Sequence, residues 1–168
     1  MNAEAFRHLF GYHFSENRKL WDQYVTRLSE TQFTQAADYS HGSVREQVLH
    51  LLRVDEAWFS DLVGTEDPLP DEPAALADRE QIQADWEAVE ARMRQYLQGR
   101  QDEDLFKQPL QGEDRDLYVW QVLLQVVNHG TDHRAQLLRQ LNDLGIETSS
   151  QDYIFYAYNH PVDGGGWQ

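Results

Sequence analysis

The longest amphipathic pattern in the chain runs from Trp120 to Leu144 and reads WQVLLQVVNHGTDHRAQLLRQLNDL. At about 100° per residue its apolar side chains fall on one continuous face, which predicts a helix. His129 and His133 lie at its centre, on the edge of that face. Two histidines four residues apart lie one turn apart on a helix, so both imidazoles can reach one metal ion. The competing interpretation is two polar residues on the rim of a buried stripe.

Three other segments repeat apolar residues at three- and four-residue steps, and each predicts a helix. The four predicted helices span about 3–28, 44–63, 78–98 and 117–144. Ser43 and Glu46 form a capping box at the start of the second helix, and Gly64 is a typical residue to end it. A loop with three prolines, 65–77, follows. The pattern predicts an all-α fold, a four-helix bundle with long connecting loops.

The residues after the fourth helix, 146–168, are rich in aromatic side chains. We expect this tail to pack back on the bundle through Tyr153, Phe155 and Tyr156, and its glycine-rich end, 164–166, to be frayed. A chain of 168 residues is long enough for one domain with a substantial core. We therefore predict a single domain over 1–168.

The composition excludes several classes of function. The net charge of −15 disfavours binding to nucleic acid or to anionic lipid. No apolar run approaches the ~20 residues of a membrane span, and no signal peptide is recognisable, so we expect a cytoplasmic protein without membrane partners. The chain has no cysteine, which excludes disulfides and a protein thiolate. Any thiol chemistry must therefore use a small-molecule thiol.

A metal site is the function that the histidines favour. His50 lies on the rim of the second predicted helix, so two helices present histidine at the edge of a buried face. Bundles build metal sites from side chains on facing helices. Imidazole ligands suit Zn, Ni, Cu and Fe, and we expect a divalent metal, Zn or Ni. Three histidines would leave one coordination position for water or substrate, as in catalytic zinc sites.

Polar side chains also interrupt the apolar stripe of the first helix, at His13 and Asn17. Buried polar groups need partners, so these two either face a site or are satisfied core residues. Together with Tyr153 and Tyr156 of the tail, they are our candidates for the wall of a small-molecule pocket. The alternative is that all four simply pack in the core.

Two charged residues fall inside apolar faces, Asp55 on the second helix and Arg134 on the fourth. A lone buried charge is costly. We therefore predict that the two form an ion pair across the helix interface, which would set the register that brings His50 opposite His129 and His133. The alternative is that Arg134 extends to the surface along its aliphatic stem while Asp55 is solvated.

Four segments of the chain carry a resemblance to a known family: VNHGTDHRAQL (127–137), LNDLG (141–145), DYIFY (152–156) and VLHLL (48–52), the last followed by Trp58 and Phe59. Through them the chain resembles the DinB family, metal-binding four-helix bundles unrelated to the DNA polymerase of the same name. The resemblance covers nearly the whole chain. It implies His50, His129 and His133 as the metal ligands, an open coordination position, a homodimer and a bacterial cytoplasmic setting.

Some relatives in that family use a low-molecular-weight thiol in transferase or isomerase reactions, and many have no known reaction. One departure is Asp132, where family members often have a further histidine. The resemblance thus implies either a metal-dependent enzyme of the thiol-dependent type or a non-catalytic metal-binding or stress-related interaction protein. We expect His8, His41 and His160 to take no part in the site, with His13 as a reserve ligand.

Overall fold

The computed structural model describes residues 1–65 and 78–161. In these ranges the regular backbone is helical and contains no strand, as predicted. None of the helices in them is both long enough and apolar enough to cross a membrane. The α-helices are α1 (Ala3–Gln23), α2 (Glu30–Thr34), α3 (Val44–Val63), α4 (Arg79–Gln98), α5 (Val119–Asp143) and α6 (Tyr153–Asn159), with short 3-10 helices at Val25–Arg27, Asp102–Phe106 and Gly112–Asp114.

The four long helices pack as a bundle. α1 and α3 each lie against both α4 and α5, so α1 and α3 occupy diagonal corners. The apolar stripes read from the sequence meet in the middle of this arrangement and form one hydrophobic cluster. Its largest fully buried apolar members are Phe6, Phe10, Phe33, Leu51, Leu52, Ile82, Met93, Leu105, Leu123, Leu137 and Leu141.

The first helix is shorter than its apolar pattern predicted. α1 ends at Gln23, because Tyr24 leaves the helical region with φ −122° and ψ −58°. A 3-10 turn over Val25–Arg27 follows and still buries Val25 and Leu28. The apolar spacing therefore continued past the end of the helix. The predicted helix over 117–144 begins at Val119, where the Tyr118 backbone N–H donates to Gln121 Oε1 at 2.8 Å.

The ends of α3 follow the sequence signals closely. The Ser43 hydroxyl accepts from the Glu46 backbone N–H at 3.2 Å, and the Glu46 carboxylate accepts from the Ser43 backbone N–H at 2.6 Å. Gly64 ends the helix with φ +74°, a conformation that favours glycine. These contacts fix both ends of the helix that carries His50.

The chain after α5 runs back along α1, as predicted for the tail, but Phe155, one of the three aromatic residues expected to pack there, is 54% exposed. The Ser149 backbone N–H donates to the Tyr24 hydroxyl at 2.9 Å, and the Tyr12 hydroxyl donates to the Gln151 carbonyl at 2.6 Å. In α6 the Tyr153 ring meets the Tyr12 ring edge-on, with centroids 5.4 Å apart. All but the first residue of the predicted loop at 65–77 and the glycine-rich end at 164–166 lie outside the described residues.

Candidate metal centre

Four histidine rings meet where α3 faces α5. His50 lies in the middle of α3, and His129 and His133 lie one turn apart on α5. The ring centroids are 5.0 Å apart for His50 and His129, 4.5 Å for His50 and His133, and 4.2 Å for His129 and His133. The fourth ring, that of His41 from the loop before α3, is stacked on His50 at 3.6 Å. The three predicted histidines therefore converge.

One hydrogen bond in this cluster joins the two helices. His50 Nε2 and His129 Nε2 lie 3.1 Å apart, across the α3–α5 interface. Two nitrogens bound to one tetrahedral zinc at about 2.0–2.1 Å are separated by roughly 3.3–3.4 Å. The two nitrogens are therefore close enough to share an ion, which would replace the hydrogen bond between them.

The surroundings favour neutral imidazoles, the form that binds metal. Burial lowers the pKa of His50 to about 4, and the adjacent His41, His133 and His129 rings lower it too. Burial also lowers the pKa of His129, followed by the effect of His133, while Asp55 and Asp132 act in the opposite direction. The pKa of His133 is lowered mainly by burial and then by His41. A cluster of this kind resists protonation and keeps its lone pairs.

Two ring nitrogens of this cluster, His129 Nδ1 and His133 Nδ1, are buried, and neither has a hydrogen-bond partner in the part of the chain that the structure describes. A buried polar atom without a partner is costly, and an ion bound through His133 Nδ1 would satisfy that atom. His129 Nδ1 does not bear on the fit, because the atom of His129 that faces His50 is Nε2. The donor set, several imidazoles at the edge of a bundle core, is one that Zn or Ni accepts.

His41 lies in the cluster, contrary to the expectation that it takes no part. Its ring is 5.1 Å from that of His133, and ring nitrogens of His41, His50 and His133 all lie within 4.8 Å of one another. In the described residues these three form a group able to hold a metal ion, with His41 in place of the predicted His129. Helical periodicity missed His41 because the residue is in a loop, where angular position carries no information. By contrast, the recorded ring contacts of His8 and His160 are with tyrosines of the tail.

Beneath the cluster a buried network joins three helices. His13 from α1, Asp55 from α3 and Arg134 from α5 are 0%, 1% and 1% exposed. His13 Nε2 lies 2.9 Å from Asp55 Oδ2, and His13 Nδ1 lies 3.1 Å from Arg134 Nη1. Arginine can only donate, so His13 Nδ1 accepts and the ring proton is on Nε2, which donates to the Asp55 carboxylate. The Asn17 amide nitrogen also lies 3.2 Å from His13 Nε2, and with the proton on Nε2 these two donors form no hydrogen bond.

The predicted ion pair therefore takes a bridged form. The contacts place the His13 imidazole between Asp55 and Arg134, whereas the helical angles predicted that these two would meet directly. Both charged side chains are buried, so the alternative of a solvated aspartate and a surface arginine is wrong. Burial lowers the pKa of Arg134, and nearby Tyr12 and Asp55 oppose that shift.

Arg134 also ties the tail to the bundle. Besides His13, its guanidinium donates to Asn17 Oδ1 at 2.8 Å, to Thr131 Oγ1 at 3.2 Å and to Gln151 Oε1 at 3.1 Å. Each nitrogen of the guanidinium thus has an acceptor, which is the condition for burying a charge. One residue of α5 therefore fixes α1 and the segment before α6 relative to the adjacent His133.

Gly130 lets this network approach the histidine-bearing helix. A Cβ atom at this position would lie 2.5 Å from His13 Cε1 and 3.0 Å from Arg134 Nη1. Only glycine accommodates the imidazole so close to the backbone of α5. The glycine between the two histidines is therefore explained by the buried network, and it links His13 to the position of His129.

The four candidate pocket residues do not lie together in one place. His13 and Asn17 belong to the buried network, as satisfied core residues would. Tyr153 and Tyr156 contact the α1 side of the bundle: the two rings lie 5.9 and 5.3 Å from the ring of His8. In the described residues the ring contacts of the two tyrosines are with His8, Tyr12, His160 and each other, and none of these rings belongs to the histidine cluster. A pocket wall built from these four residues stays a prediction.

Imidazole side chains converge between two helices of an all-helical bundle. The fold and the site therefore place this chain among helical-bundle proteins with a candidate metal centre. The family model described as DinB family matches residues 1–164, nearly the whole chain. The chain belongs to the DinB family. A search of curated proteins found no match.

Proposed function

We propose that the chain binds a divalent transition metal, Zn or Ni, through His50, His129 and His133, and that the loaded protein is a metal-dependent enzyme acting with a low-molecular-weight thiol. The observation that supports the metal site is the approach of the three rings, whose centroids lie 4.2–5.0 Å apart. Membership of the DinB family supports the same three ligands. A homodimer and a cytoplasmic setting, also implied by the resemblance, remain predictions.

The proposal that a small-molecule thiol takes part rests on the absence of cysteine from the chain. There is no cysteine, so the protein has no thiolate of its own. A metal held by neutral imidazoles lowers the pKa of a bound thiol or polarises a carbonyl group. The chain's own residues supply the framework: half-buried rings on α3 and α5, held in register by the bridged Asp55–His13–Arg134 network. A transferase or isomerase reaction would use this arrangement.

Metal content tests the ligand assignment. Protein produced without a histidine tag should carry close to one equivalent of Zn or Ni per chain by elemental analysis. His50→Ala and His129→Ala should abolish that content, because each removes one of the three proposed ligands. His160→Ala is the matched control, since that ring stacks on Tyr156 outside the cluster. Unchanged metal content in His129→Ala would overturn the proposed site.

Turnover is tested separately. The metal-loaded protein is mixed with cysteine or glutathione and an aryl chloride, and formation of the thioether is followed by absorbance. We expect a rate above that of the thiol alone, lost in His129→Ala. Metal binding without any such rate would support the alternative function, a non-catalytic metal-binding or interaction protein. The specific observation favouring that alternative is His41, since a fourth histidine closes a site that catalysis would need open.

A further inference from the structure

The loop that carries His41 is held in an unusual backbone conformation. Ser40 has φ +50° and Gly42 has φ +98°, so the residues on both sides of His41 lie in the left-handed region. A side chain at Gly42 would meet the Glu46 carboxylate, with a Cβ–Oε2 distance of 2.5 Å. A non-glycine residue such as Ser40 rarely adopts this conformation unless its surroundings hold it there, and such residues cluster at functional sites.

The surroundings that hold this loop belong to the helix of His129 and His133. Ser40 Oγ donates to Gln136 Oε1, and Gln140 Nε2 donates to the Gly42 carbonyl at 2.6 Å. Gln136 and Gln140 follow His133 by three and seven residues, which places all three on one side of α5. The same helix face that presents His133 therefore also positions the loop.

His41 therefore lies at the outer side of the cluster. His41 is exposed, whereas His50 and His133 are half-buried. The His41 and His50 rings are stacked, with an interplanar angle of 20°. Stacking alone would explain a contact with one ring. It does not explain why ring nitrogens of His41, His50 and His133 all lie within 4.8 Å of one another.

We propose that His41 is a fourth, displaceable ligand of the metal held by His50, His129 and His133. In the resting protein it occupies the coordination position that the three helical histidines leave free, and it yields that position to an incoming anionic ligand. Its exposure and its place in a loop allow it to leave, while the helical ligands stay in place. This inference rests on the proposed metal site.

Cobalt substitution tests the proposal. Co²⁺ is added to metal-free wild type, His41→Ala and the control His8→Ala, and the visible spectrum and the dissociation constant are measured. Azide is then titrated into each Co²⁺-loaded protein. His8 contacts the tail tyrosines, so its replacement removes a histidine without touching the cluster.

We expect His41→Ala to bind Co²⁺ at least about tenfold more weakly, since even second-shell changes cost about 10–100-fold. Its spectrum should differ from that of the wild type, and added imidazole should restore it. Azide should bind His41→Ala more tightly than wild type, because no protein ligand competes. Identical spectra, metal affinity and azide affinity in wild type and His41→Ala would overturn the proposal and leave the three-histidine site standing. Failure of wild type to bind Co²⁺ would overturn both.

Discussion

The buried network makes a strong prediction about stability. Arg134 is 1% exposed and donates to His13, Asn17, Thr131 and Gln151. Arg134→Met keeps most of the aliphatic stem and removes every one of these hydrogen bonds. The variant should also leave the Asp55 carboxylate buried without a nearby positive charge. Breaking a buried charge pair by removing one partner costs about 3–5 kcal/mol.

The expected fall in melting temperature follows from chain length. For a protein of 150–250 residues, 1 kcal/mol corresponds to roughly 2–4 °C, so Arg134→Met should melt about 6–20 °C below wild type. Melts are recorded by circular dichroism with a chelator present, so that metal binding does not contribute. Arg139→Met is the matched control. Its exposed ion pair with Asp143, at 3.0 Å, should contribute no more than about 1 kcal/mol.

A double-mutant cycle tests the bridge itself. Asp55→Leu removes the acceptor of the His13 Nε2–H, and the double variant Asp55→Leu with Arg134→Met removes both charges. Because the two side chains share His13 as partner, the double variant should cost less than the sum of the single changes, with a coupling of about 0.5–3 kcal/mol. Near-neutral, additive single changes, or an Arg134→Met loss no larger than that of Arg139→Met, would refute the reasoning.

Three further predictions follow from local geometry. Gly130→Ala should destabilise the protein by about 1–3 kcal/mol in denaturant unfolding, because its Cβ would meet His13, while the control Gly99→Ala, whose Cβ would have no neighbour closer than 3.6 Å, should change little. Hydrogen bonds from Ser43 lower the pKa of Glu46 below its ordinary 4.5. The stability lost in Glu46→Gln should therefore be full at pH 7 and shrink as pH falls below 4.5, and a difference independent of pH would contradict this. Zn²⁺ at 100 times its Kd should stabilise wild type by about 2.7 kcal/mol and so raise its melting temperature. The melting temperature of a His50→Ala variant should not change.

The helices could be predicted from the sequence because burial of one helix face makes apolar residues repeat every three or four positions. An apolar side chain every third or fourth residue has one structural solution in a chain of this length, a bundle with its stripes facing inward. Capping residues such as Ser43 and Gly64 act locally, so their effect is also visible in the sequence. The end of α1 was misplaced because a 3-10 turn buries Val25 and Leu28 much as another helical turn would.

The buried charges show where helical angles stop being informative. The angle of Asp55 on α3 and of Arg134 on α5 correctly indicated burial, since it depends only on each helix. The partner of each residue depends on what lies opposite, and that includes a third helix. His13 on α1 takes the position between them, so the direct pair became a bridged one. The tautomer of His13 depends on the groups that surround its ring, and these come from more than one helix.

His41 shows the complementary limit, and also a usable signal. A loop residue has no periodic position, so nothing about its spacing placed it beside His50. The helix that receives the loop does carry a pattern: His133, Gln136 and Gln140 repeat at three and four residues on one side of α5. Gln140 of this row is buried, and a buried polar side chain needs a hydrogen-bond partner. Gln136 and Gln140 bond to the Ser40 side chain and the Gly42 carbonyl, on either side of His41. A polar row extending from a proposed ligand pair therefore points to a loop held over the site, and any histidine in that loop becomes a candidate ligand.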